Sequence, residues 1–149
     1  MHFYQSLKVN EPSLLSERTV VEHLNIELVY WRNTSAFTKY NSKYFMFINE
    51  NLNKQQQWQD FGHEMSHYFF DETNYSLLNE TYAEYGETKA DYFAYHFCVP
   101  TFMLYNLKGV DVYDVMELFN VEFEFALRRL EMYRNNVLGR NMSYARTYS

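Results

Sequence analysis

Four glycines and two prolines in 149 residues leave little material for loops of unusual backbone angle, so the chain reads as compact elements joined briefly. A lone cysteine, Cys98, excludes an intramolecular disulfide framework and a four-cysteine zinc site alike. No apolar run approaches the roughly 20 residues needed to cross a bilayer. The opening stretch MHFYQSLKVNEPS lacks a basic segment followed by an apolar one, so no secretory signal is expected and the protein should stay in the cytoplasm. Positive charge is scarce as well. The formal net charge is −6, which argues against general affinity for nucleic acid.

Aromatic side chains, by contrast, are abundant, with 15 Tyr and 13 Phe. A hydrophobic share of 47% is normal for a globular chain, and the length suits one domain over residues 1–149. Within it, about 1–107 reads as a core and about 108–149 as a helical C-terminal extension. Charge is unevenly spread, since residues 1–119 carry 8 Lys/Arg against 16 Asp/Glu while residues 120–149 carry 5 against 3.

Helical spacing covers 14–24, after Pro12-Ser13 as a start. Residues 25–31 (NIELVYW) are β-formers, polar residues 33–42 read as a loop or a hairpin with room for a short strand at Ala36–Tyr40, and 43–52 (KYFMFINENL) begins as an apolar strand. Asn53 can cap a helix from Lys54 to about Phe70. Polar residues 71–84 follow, then a second helix from about Gly86 to Val99, stopped by Pro100. Residues 101–107 suggest a helical turn, and helices are expected near 111–119 and 122–134 with the last fifteen residues frayed.

The first long helix contains His63-Glu64-Met65-Ser66-His67, the HExxH pattern. Residues i and i+4 leave one helix face a turn apart, so both imidazoles can reach one metal ion. Glu64 lies about 100° around, able to touch a metal-held water without ligating, which suits a general base. Trp58, Phe61, Met65, Tyr68 and Phe69 fall on the opposite side, roughly 140–240° from His63, so the histidines stand off the apolar stripe. An open catalytic zinc takes a third protein ligand, and the second helix offers Glu87 and Asp91 at i and i+4 beside the small Ala90 and Ala94. Glu87 is the chosen ligand, with Asp91 accepting a hydrogen bond from a ligand imidazole. His96 faces the other way, and Cys98 lies about 16 Å along the helix, so neither can join.

GHEMSHYFF followed by ETKADYFAYHFCVP resembles the ImmA/IrrE metallopeptidases, whose motifs are an HExxH helix and an E-x-x-A-[DN]-x-F-A-x-x-x-x-x-P helix. Glu87, Ala90, Asp91, Phe93, Ala94 and Pro100 match the second motif, and the resemblance covers roughly residues 40–100. Ser66 stands where Gly is common in the family. The resemblance implies an α+β, zincin-like metallopeptidase with a small sheet packed on the HExxH helix, a second ligand-bearing helix and a helical C-terminal part. It implies Zn²⁺ as cofactor and, as substrate, a helix-turn-helix repressor of the phage or mobile element that encodes the enzyme. Such a substrate could add as a strand beside Tyr44–Ile48, provided that strand lies at an edge near the cleft. Two other classes compete: a non-catalytic zinc-containing regulatory or toxin–antitoxin module that binds a DNA-binding partner, and a DNA-binding regulator acting through residues 112–146 with Arg128, Arg129, Arg134 and Arg140. Direct nucleic-acid binding is not expected, because Val115, Leu118, Phe119, Phe123, Ala126, Leu127 and Leu130 recur at core spacing.

Overall fold

The computed structural model of the protein describes residues 2–70 and 89–148, with side chains described for 3–70 and 89–137. It is an α+β fold of a three-stranded sheet and mostly helices. A short helix α1 (His2–Ser6) and a 3-10 turn (Pro12–Leu14) precede α2 (Glu17–Leu24). Helical spacing from residue 14 overran the true start. Ser16 is extended and its side chain accepts the Thr19 N–H, so the helix begins one residue later, at Glu17. Asn25 ends α2 in the left-handed region, and β1 (Ile26–Trp31) follows at once. Helix α1 carries no periodic signal in five residues, yet it delivers Phe3 and Tyr4 to the core.

Strand β2 (Ala36–Tyr40) and strand β3 (Lys43–Asn49) form a hairpin closed by Asn41 and Ser42, both at positive φ (50° and 65°), as a tight two-residue turn requires. The sheet order is β1-β3-β2, with β1 parallel and β2 antiparallel to β3. β3 is therefore central. The expectation that a substrate could add beside Tyr44–Ile48 fails, because both edges of that strand are already paired. Its apolar run YFMFI is what a strand with neighbours on both sides needs. Among the described residues, the unpaired edges belong to β1 and β2.

Helix α3 (Lys54–Phe69) starts in a capping box, in which Asn53 accepts the Gln56 N–H and Gln56 accepts the Asn53 N–H in return. Its apolar stripe, Trp58, Phe61, Met65, Tyr68 and Phe69, is buried against the sheet and the second long helix. That helix, α4 (Lys89–Cys98), packs closely on α3. The closeness has a visible cause. A Cβ on Gly62 would lie 2.6 Å from Cys98 Sγ and 3.6 Å from Ala94 Cα. Residues 86–88, the expected start of this second helix, lie outside the described residues.

Helix α5 (Thr101–Asn106) follows Pro100, and α6 (Val112–Phe119) opens on a capping box of Asp111 and Asp114. Helix α7 runs from Phe123 to Tyr148, far past the expected end near 134. Nothing there forbids helix: no proline intervenes, and the single Gly139 costs only about 1 kcal/mol. Arg129 on α7 is fully buried. Its Nε donates to the Val99 carbonyl at 2.9 Å and an Nη to Thr101 Oγ at 2.8 Å, so the cation closes the C-terminal end of α4, where a helix dipole favours it. Arg129 is thus withdrawn from the basic surface that a DNA-binding reading would use.

Candidate metal centre

Helix α3 carries His63 and His67 away from its buried stripe, with side chains 41% and 59% exposed. One turn of helix separates them, as the i, i+4 spacing dictates. Across the α3–α4 contact, Asp91 in the first turn of α4 brings Oδ1 to 3.0 Å from His63 Nδ1. A carboxylate at that distance holds the proton on Nδ1, so Nε2 of His63 is left with its lone pair free. That is the state a metal ligand needs.

Glu64 is the most enclosed member of the group, its side chain only 15% exposed, and its Oε2 lies 3.6 Å from His67 Nε2. Burial pushes the Glu64 carboxyl above the usual carboxylate range. His67, His63 and the Phe37 backbone N–H oppose that rise, and Asp60 adds to it. Phe37 belongs to β2, and the register explains why its N–H is available. The two-residue turn makes Tyr40 and Lys43 a hydrogen-bonded pair, so Thr38 and Ala36 bond inward while Phe37 and Lys39 turn their amides to the outer edge. Glu64 therefore sits between two imidazoles and the outer edge of β2.

Glu87, the expected third ligand, lies outside the described residues, as do Asp71, Glu72, Glu80 and Glu84. Among the described residues no group of three or more His, Cys, Asp or Glu side chains gathers tightly enough to hold a metal ion. The donors that are described do suit a divalent cation: two imidazoles at ligand spacing, one of them oriented by a carboxylate. His96 is buried in the core with Nδ1 donating to the Tyr92 carbonyl at 3.0 Å, and Cys98 is buried with Sγ 3.3 Å from the Trp58 carbonyl. Burial holds His96 far below the ordinary histidine range, at about 3, with Arg129 reinforcing the effect, and burial pushes the Cys98 thiol well up. Neither belongs to the centre.

Two contributors were invisible in the sequence. The Phe37 amide reaches Glu64 from 27 positions upstream, and Gln59 binds Glu122 across 63 positions. Backbone donors and long-range amide pairs leave no local pattern.

The sequence profile of Peptidase_M78, described as the IrrE N-terminal-like domain, matches residues 15–131. Two proteins of Bacillus subtilis (strain 168) are similar. The phage-like element PBSX protein XkdA is 30% identical over 143 residues, covering 93% of this chain and 72% of its own. The uncharacterized protein YqaB is 30% identical over 137 residues, covering 89% and 80%. No solved structure matches.

Proposed function

Because the chain belongs to the Peptidase_M78 family of IrrE N-terminal-like domains, we propose that it is a zinc-dependent endopeptidase of zincin-like architecture. The observation that carries this reading is the largely enclosed Glu64 carboxylate beside two imidazoles, one of them fixed by Asp91. His63, His67 and Glu87 would hold the ion, which when bound supplies a Lewis acid that polarises the scissile carbonyl and acidifies the attacking water.

The chain's own groups do the rest. Glu64 accepts a proton from the attacking water and passes it to the leaving amine. Its enclosure raises its basicity, while His67, His63 and the Phe37 amide keep the carboxylate form accessible. Asp91 holds the His63 ring in one orientation through the 3.0 Å contact. A substrate strand adds along the outer edge of β2, at the Phe37 carbonyl and the Lys39 backbone groups, next to the Phe37 N–H that meets Glu64. The phage-like element relative supports a helix-turn-helix repressor of the encoding element as the protein cut, with relief of repression as the outcome.

The test is Glu64→Gln. The variant should bind one zinc per chain, as the parent does, while cleavage of the repressor encoded beside it falls by about 10²–10⁴-fold. A variant that cuts at the parent rate removes Glu64 from the reaction.

A further inference from the structure

We propose that a groove beside His63 is the pocket for a cationic side chain of the substrate, an arginine or lysine flanking the bond to be cut. The inference rests on the peptidase reading for the site it adjoins, and it names a substrate feature which that reading leaves open.

Two cavities of about 200 and 390 Å³ meet along this face, both lined by Gln59, Tyr95 and Phe125. The first reaches His63 and Asp91, and the second ends at Glu122, Phe123 and Glu124 at the start of α7. Together they form one channel leading from a ligand imidazole to the first turn of α7. Its floor is aromatic. Tyr95 and Phe125 lie with ring centroids 4.5 Å apart and tilted by 35°, and Phe123 adds a ring that is 38% exposed. Such a floor accepts the flat face of a guanidinium or the methylene stem of a lysine.

The rim is acidic. Asp60 stands at the His63 end, Glu122 and Glu124 at the other, and no Lys or Arg is among the described residues lining either cavity. Asp60, Glu122 and Glu124 form no ion pair with any described Lys or Arg. Glu122 is also held in place. Gln59 Nε2 donates to Oε1 at 3.0 Å, Gln56 Nε2 donates to Oε2 at 3.3 Å, and the Glu122 backbone N–H donates to Gln59 Oε1 at 2.7 Å. Two neutral amides fix the carboxylate, and no described Lys or Arg compensates its charge. An apolar side chain entering the channel would strip water from these acids with nothing in return, and an acidic one would be repelled. A cation matches both floor and rim.

Two measurements separate this inference from the reading beneath it. Zinc-loaded protein is incubated with a randomised dodecapeptide library and the cut sites are read by mass spectrometry. Arginine or lysine should be enriched at least tenfold at one fixed position, and Glu122→Gln with Glu124→Gln should bring that enrichment within twofold of neutral residues. Cutting without cationic preference, or a preference that survives both substitutions, overturns the pocket and leaves the peptidase standing. In the second measurement, Glu64→Gln protein is titrated with a dodecapeptide carrying one arginine and with its citrulline twin. The arginine form should bind at least tenfold more tightly, by fluorescence anisotropy, and lose that margin in Glu122→Gln. Equal affinities overturn the pocket even if no peptide is ever cut. Preferential arginine binding without any cutting upholds the pocket and counts against the peptidase.

Discussion

At the scale of single residues, two side chains tie chemistry to measurable quantities. Asp91 touches His63 and lies beside, not within, the expected ligand set. Asp91→Asn replaces an acceptor-only group by an amide that can present its NH₂ to Nδ1, and the ring loses its fixed proton. Zinc affinity should fall by about 10–100-fold in competition with a chromophoric chelator; an unchanged affinity would detach Asp91 from the centre. His96 speaks to stability instead. Its folded-state value of about 3 lies below the ordinary 6.5, so the unfolded chain binds the proton that the folded chain refuses. The His96 contribution is therefore complete above pH 6.5 and is lost progressively as pH falls toward 3. Between pH 7 and pH 5 that loss is about 2 kcal/mol, from 1.36 kcal/mol per pH unit over the 1.5 units below 6.5. Urea unfolding midpoints at the two pH values should drop more in the parent than in His96→Gln, and equal drops would refute the assignment.

At the scale of elements, the α3–α4 contact decides whether the two halves of the centre meet. Gly62 is a point of close approach, with Cys98 Sγ where a methyl would go. Gly62→Ala gains about 1 kcal/mol of helix propensity but overpacks the contact by about 1–3 kcal/mol, and the Cys98 sulfur is anchored at the Trp58 carbonyl, so it cannot retreat freely. Net destabilisation of up to about 2 kcal/mol by denaturant titration is expected. Adding Cys98→Ala should restore part of it, a coupling that additive variants would contradict. The elements themselves were largely readable, because β1, β3, α3 and α6 each carry a strong local pattern with a cap or a tight turn at its border, whereas β2, with no fully buried position, could equally have been loop. Strand order was not readable. β3 pairs with β1 in parallel from across the hairpin, a choice made by burial on α3 that no local residue encodes. The extent of α7 escaped for a different reason: polar residues beyond 134 look like a frayed end when only periodicity is considered.

At the scale of the whole molecule, the proposed centre would couple metal to folding. His63 and His67 could be read directly from spacing, as could the face they occupy. The groove next to them could not, since Gln59, Tyr95 and Phe125 come from three helices and meet only after the core assembles. A ligand that grips α3 binds the folded chain and not the unfolded one. Free zinc at about 100 times its dissociation constant should then stabilise the protein by about 2.7 kcal/mol. For a domain of this size that raises the melting temperature by roughly 5–10 °C. Calorimetry with and without a chelator checks the shift, which should vanish in His67→Ala; identical melting with and without zinc in the parent would refute the coupling. The short outer rim of the sheet has its own consequence. Five residues of β2 extend about 17 Å, and only Phe37 and Lys39 face outward there. A target docking on so brief a ledge has to arrive stretched out over about three residues, because a coiled segment keeps its amides for itself. On the proposed reading, whatever is cut must first come undone locally, and how often the target frays would become part of the rate at which it disappears.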